Sequence, residues 1–503
     1  MSTEVFMGSD PSLSRRTLLA GAGALGALAA CQDSVSALDG GADARVDDAF
    51  EGEAGEDAAG QDSMTLDGGA IDSADDAGSL PDAEGSDGQL FDTDSDAGRT
   101  DAATDPLLTP EADGFDLGVA SGDPTPDGAI LWAHYEAGRL RLVVWSESPF
   151  VEVANRVVSP RDGFFHEQID GLEPGRWYRY AFFLLSGEGR SPIGRFRTAL
   201  ASDSLEPVLL GGTSCTYNLL PPETLERAGR RTDLDSFLLL GDTTSLEEYL
   251  DKWAHNLSKV GWRAIRAATS VIATWDDHEV DNDWDPERLD PTQLDAAREA
   301  FFKNLPVRRN PDAPNQIWRK FSFGLTADVF VLDSRSERLP STRETEKAQY
   351  LSRAQLEWLA RGLISSEAVF KVIMSSVPIA ALPAIWLSPS DRWEGYEAQR
   401  RELLELIELT PVSGVVFVSG DLHVAFTGRV APSGLGSSTL EVLAGPGAQI
   451  INPLWRSLEP PQFDFATGDN NYVTLALDPS DRSLIATYRD KDDVLIGERR
   501  YVL

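Results

Sequence analysis

Four apolar runs in this chain each stop at small residues and then at a side chain able to hold a metal. That repetition constrains the fold more than any other feature. Ser270-Val271-Ile272-Ala273 leads into Thr274-Trp275-Asp276-Asp277-His278-Glu279-Val280-Asp281-Asn282-Asp283. Phe237-Leu238-Leu239-Leu240 leads into Gly241-Asp242, and Val415-Val416-Phe417-Val418 into Ser419-Gly420-Asp421-Leu422-His423. Val208-Leu209-Leu210 leads into Gly211-Gly212-Thr213-Ser214-Cys215. Apolar, often β-branched runs bounded by Gly, Ser and Asp predict buried strands. In open α/β sheets, ligands gather outside the carboxyl ends of the strands. Four segments far apart in sequence are therefore expected to converge there.

The residue types point to a hard-metal site. Carboxylates at the end of a central strand are costly to bury unless a cation neutralises them. A histidine beside them can serve as the acid or base that hydrolysis at a metal requires. Asp421 and His423, two apart, would share one strand face. Each residue also has a plainer reading: a structural thiol for Cys215, a helix N-cap for Asp242, a carboxylate–imidazole pair for Asp277 and His278. Asp281 and Asp283 read as solvated or supporting residues, and His134, His166 and His255 as structural.

At 503 residues the chain has room for two or three domains. Its formal charge of −38 is uneven: residues 33–113 hold 24 acidic residues against Arg45 and Arg99, which accounts for −22. The remainder is moderately acidic, which argues against nucleic acid as a partner other than as a substrate. Residues 1–31 read as a targeting segment. Ser14-Arg15-Arg16-Thr17-Leu18-Leu19 is a twin-arginine pattern, and Leu28-Ala29-Ala30-Cys31 resembles a bacterial lipobox. The expected protein is exported, reaches a membrane only through lipid on Cys31, and sits at the periplasmic or cell-surface side. The second cysteine, Cys215, has no partner for a disulfide.

Residues 32–113, rich in Asp, Gly, Ala and Ser, bury too little apolar surface to offset ordering entropy and read as a disordered acidic linker. Residues 114–200 carry short aromatic-rich strands separated by Pro/Gly/Asp turns, which predicts a small β-sandwich of the immunoglobulin or fibronectin kind. From 201 to 503 strands alternate with amphipathic stretches such as Arg353–Leu359 and Arg400–Ile407. The expectation there is an α/β domain with two packed sheets flanked by helices.

These residues resemble the alkaline phosphatase D (PhoD-like) family of metallophosphoesterases. The resemblance runs from about 114 to 503. It rests on Ala120-Ser121-Gly122-Asp123-Pro124, Ser214-Cys215, Leu240-Gly241-Asp242, Trp275-Asp276-Asp277-His278-Glu279-Val280 with Asn282, Leu332-Asp333-Ser334-Arg335, Trp393-Glu394-Gly395-Tyr396 and Ser419-Gly420-Asp421-Leu422-His423. It implies a calcineurin-like two-sheet sandwich and a dinuclear site of Fe3+ with Ca2+. In that scheme Cys215 and His423 serve iron and Asp242 bridges. Asp277, Asn282 and Asp421, with Asp276, serve calcium. His278 would donate a proton or contact phosphate, and Arg335 would steady the phosphate oxygens. Hydroxide held between the metals would attack a phosphate diester or monoester, in a monomeric enzyme. Relatives commonly carry Tyr at the position of Ser245 and His at that of Leu239. A catalytically degenerate surface binding module of the same fold is the rival reading.

Overall fold

The computed structural model describes residues 107–217, 220–244 and 249–503, with side chains from Lys252 in the last segment. The expected signal peptide, the lipid anchor at Cys31, the linker as far as residue 106, and Ser245 lie outside the described residues. Ordered chain precedes the boundary expected at 114: Thr109 is buried, and the Ala112 N–H donates to the Arg190 carbonyl at 2.8 Å.

Among the described residues seven strands precede residue 200: β1 (Val119–Thr125), β2 (Gly128–His134), β3 (Leu140–Ser146), β4 (Val151–Val158), β5 (Phe164–Ile169), β6 (Trp177–Leu184) and β7 (Gly194–Arg197). Thirteen follow: β8 (Val208–Thr213), β9 (Ser236–Leu240), β10 (Ser270–Thr274), β11 (Arg319–Phe323), β12 (Ala327–Val331), β13 (Phe370–Met374), β14 (Val415–Ser419), β15 (Ala425–Arg429), β16 (Leu440–Leu443), β17 (Phe463–Thr467), β18 (Asn471–Asp478), β19 (Ser483–Asp490) and β20 (Leu495–Val502).

One nine-stranded sheet runs β20-β19-β18-β8-β9-β10-β1-β2-β5, and a seven-stranded sheet runs β11-β12-β13-β14-β16-β15-β17. The centres are parallel: β8, β9 and β10 in the first, and β12, β13, β14 and β16 in the second. Parallel strands are buried on both faces, so they read as continuous apolar runs. Alternation then assigns each side chain a layer. Leu238, Leu240 and Ile272 point into the core between the sheets, against Val329, Val372, Val416 and Val418. Phe237, Leu239, Val271 and Ala273 point outward, under Trp253, Trp262 and Phe301 of the helices Tyr249–Leu257, Val260–Ala268 and Pro291–Asn304. Phe330, Ile373 and Phe417 do the same beneath the helices Arg353–Ser365 and Glu397–Leu409. Asp290 and Ser352 cap two of these helices by accepting the Thr292 and Gln355 N–H groups at 2.9 and 3.1 Å.

The sandwich expected over 114–200 has its own core, in which Val119, Leu131 and Phe165 meet Leu142, Tyr180 and Phe196. Its two sheets have different owners. β4-β3-β6-β7 is a separate sheet, whereas β1, β2 and β5 extend the nine-stranded one. The join is parallel, Ser121 opposite Ser270 and Gly122 opposite Val271. Gly122 permits it, because a Cβ there would lie 2.4 Å from the Pro306 carbonyl oxygen and 2.8 Å from that of Val271. The boundary expected at 200–201 is thus crossed by a continuous sheet. No helix of the described residues is long and apolar enough to cross a membrane.

Candidate metal centre

The four strand ends converge as their sequences suggest, through unusual backbone. Cys215, Asp242, Asp421 and His423 all have positive φ (53, 55, 76 and 56°), a region costly for residues with a Cβ. β14 stops at Ser419, so Asp421 and His423 do not share a strand face as their spacing implied. They lie in a tight bend whose left-handed turns send them to different clusters. Two glycines allow the loops to touch. A Cβ on Gly241 would lie 2.5 Å from the Asp276 Cβ, and one on Gly420 2.5 Å from the Ser214 Cβ. The Cys215 and Thr216 N–H groups donate to the Gly241 and Asp242 carbonyls at 3.2 and 2.9 Å, which joins the loops after β8 and β9.

Glu279 ties the loop after β9 to the loop after β10. Its buried carboxylate accepts the N–H of Asp242 at 3.0 Å, that of Asp276 at 2.8 Å, and that of Thr243. Glu441 does similar work behind β14, accepting from the Ser419 hydroxyl at 2.7 Å and from the Ile379 and Ala380 N–H groups.

Three overlapping groups of potential ligand atoms result, each with its atoms within 4.8 Å of one another: Cys215, Asp242 and His423; Asp242, Asp277 and His278; Asp276, Asp277 and Asp421. Asp242 and Asp277 each belong to two groups. Burial, then the charges of Asp277 and Asp276, push Asp242 well above the usual carboxylate range. Burial raises Asp421 similarly, and lifts Asp276 to about 7 although Arg335 opposes it. Burial, then the charge of Asp242, raises the Cys215 thiol. Burial would also raise Asp277, but Arg335 and His278 hold it below the usual range. Burial and the neighbouring His278 lower His423 to about 4, leaving a neutral imidazole hydrogen-bonded to the Ile450 backbone.

So many buried anions cannot ionise together without added positive charge. The Asp242 Oδ1 and Asp276 Oδ2 atoms are buried and have no hydrogen-bond partner among the described residues. Both facts fit metal binding. The donor sets differ as well: thiolate, imidazole and carboxylate suit a transition metal, and three carboxylates suit a hard cation.

Of the remaining expected residues, His278 belongs to the second of these groups. His278 is half-buried and stacks on Tyr217, ring centroids 4.3 Å apart. Arg335, expected at the phosphate, is fully buried beneath the carboxylates. It pairs with Asp276 and Asp391 and approaches Asp421 at 3.4 Å and Asp277 at 3.9 Å. Its N–H groups face these acids, so it is placed to hold the carboxylates in position. Asn282 is exposed, and its N–H donates to Asp281 at 3.0 Å. Sequence reasoning passed over Glu279, Asp391 and Tyr217. Glu279 stood inside the motif already singled out, but nothing local marks a carboxylate that accepts backbone N–H groups 36 and 37 positions away.

A helix-flanked pair of packed sheets with potential metal ligands gathered at the strand ends defines a calcineurin-like metallophosphoesterase fold. Residues 222–448 match the family model described as PhoD-like phosphatase, and residues 101–200 match that of the PhoD-like phosphatase N-terminal domain. The chain belongs to the PhoD-like phosphatase family. It is 26% identical over 383 residues to alkaline phosphatase D of Bacillus subtilis (strain 168), covering 63% of this chain and 65% of that protein, just under two thirds of its length. A solved structure of PhoD superposes with a TM-score of 0.66 at 23% identity, over 78% of this chain and 90% of the other. A purple acid phosphatase from yellow lupin (Lupinus luteus) seeds superposes with a TM-score of 0.55 at 15% identity, over 76% and 73%. These two likenesses are of fold.

Proposed function

We propose that the protein is an exported, metal-dependent phosphoesterase that hydrolyses phosphate diesters or monoesters. The observation that carries this reading is the chain of three ligand groups linked through Asp242 and Asp277. Linked groups of that kind suit two neighbouring cations. Cys215, Asp242 and His423 would hold iron; Asp276, Asp277 and Asp421 would hold calcium, with Asp242 shared between the two. The metals, when bound, would supply Lewis acidity and a nucleophile at ordinary pH. His278, flanked by Asp242 and Asp277 and stacked on Tyr217, would hold the proton for the departing alkoxide. The twin-arginine pattern at Arg15-Arg16 and the lipobox-like Leu28–Cys31 support export and a lipid anchor.

The test is hydrolysis of bis-p-nitrophenyl phosphate by the full-length protein with iron and calcium, repeated after chelation. Chelator-sensitive turnover, abolished by Asp277→Asn and lowered by His278→Ala, is the expected result. No turnover by protein with both metals bound would sink the enzyme and favour the binding module, for which Ser245 in place of the family's Tyr is the motive.

A further inference from the structure

Arg335 is saturated by carboxylates, so the incoming phosphoryl group needs another partner. Arg392 meets the requirements. It precedes the turn Trp393–Tyr396, is 7% exposed, and reaches the flank of Asp421, its Nη1 3.9 Å from the Asp421 Oδ2. Its Nε lies 3.9 Å from Glu394 Oε2. Neither approach is a hydrogen bond. Its Nη2 donates to the Trp386 carbonyl, which fixes the guanidinium; Nε has no partner among the described residues. Arg338 offers no equivalent, since its terminal nitrogens go to Asp391 and to the Trp284 carbonyl. Arg392 is therefore a pre-set arginine whose Nη1, on the side of the candidate ligand Asp421, makes no hydrogen bond among the described residues, and a planar donor of this kind matches phosphate oxygens.

We propose that Arg392 binds the non-bridging oxygens of the substrate phosphoryl group and makes the site favour monoesters over diesters. The inference rests on the phosphoesterase reading above. Its chemistry is charge: a monoester carries nearly two negative charges above a second pKa of about 6, and a diester carries one. A fixed cation in a basin crowded with carboxylates gains more from the dianion.

The test compares full-length, metal-loaded wild type with Arg392→Ala and Arg392→Lys. It uses p-nitrophenyl phosphate, bis-p-nitrophenyl phosphate, inorganic phosphate titrated by calorimetry, and metal content by atomic emission. R392A should lose roughly 10- to 100-fold in kcat/KM on the monoester and in phosphate affinity, the span of a charged hydrogen bond, and far less on the diester, with metal content unchanged. R392K should fall between, since a lysine donates from a single point. Equal losses on both esters would overturn the proposal. So would loss of metal from R392A, which would make the residue a support for Asp421. Should wild type with both metals bound hydrolyse neither ester, the phosphoesterase reading fails. The phosphate titrations still decide Arg392: unchanged affinity in R392A overturns it.

Discussion

The side chain of Glu279 accepts the main-chain N–H of Asp242 at 3.0 Å, so the loop after β9 is held by a residue from the loop after β10. The same oxygen accepts from Asp276 at 2.8 Å. One carboxylate thereby sets the separation of two expected ligands. Replacing it by glutamine keeps the size but leaves one acceptor oxygen and turns an NH2 toward a backbone N–H. Glu279→Gln should weaken metal binding by about 10- to 100-fold, as supporting residues of metal sites commonly do. Metal titration of the folded variant checks this; wild-type affinity would remove Glu279 from the account.

Gly241 is fixed by two independent constraints. Its φ is 93°, and a Cβ would lie 2.7 Å from the Asp276 N as well as against the Asp276 Cβ. Gly241→Ala should cost about 1–3 kcal/mol from strain and overpacking. It should also lower the metal content, because relief of the clash moves Asp276. Urea unfolding and metal analysis on one preparation measure both. Unchanged values in both would show that the loops do not meet as described.

Arg335 separates a supporting from a substrate-binding role. It is fully buried with Asp276, Asp277, Asp391 and Asp421 around it. Removing one partner of a buried ion network typically costs about 3–5 kcal/mol. Arg335→Met should therefore appear first as a lower unfolding midpoint in metal-free protein. A fully stable Arg335→Met that has lost only phosphate affinity would return Arg335 to the substrate.

These cases show what local sequence can reveal. Strands such as Phe237–Leu240 and Val415–Val418 are legible because burial on both faces leaves an uninterrupted apolar run. The candidate ligands are legible because they follow directly on those runs. β4 is not, since most of its residues are exposed and it edges the small sheet. The pairing of β1 with β10 depends on Gly122 meeting Pro306 far along the chain. Arg335 and Asp276 are 59 positions apart, and no periodicity links them. The spacing of Asp421 and His423 misled because it assumed a strand where the chain turns left-handed twice.

The overlap of the three ligand groups makes a stoichiometric prediction. Cys215 and His423 belong to the first group alone, Asp421 to the third alone, and Asp242 joins the first to the second. Cys215→Ser replaces a thiolate by a poorly ionised hydroxyl of similar shape, so it should cost the thiolate-selected metal and spare the hard cation. Asp421→Asn should do the reverse. Asp242→Asn weakens the shared ligand and should lower both. Atomic emission on the three purified variants, each first shown to be folded, gives the three patterns. Equal depletion of both metals in all three would mean that the groups act as one undivided site. Retention of both in Asp242→Asn would remove its bridging role.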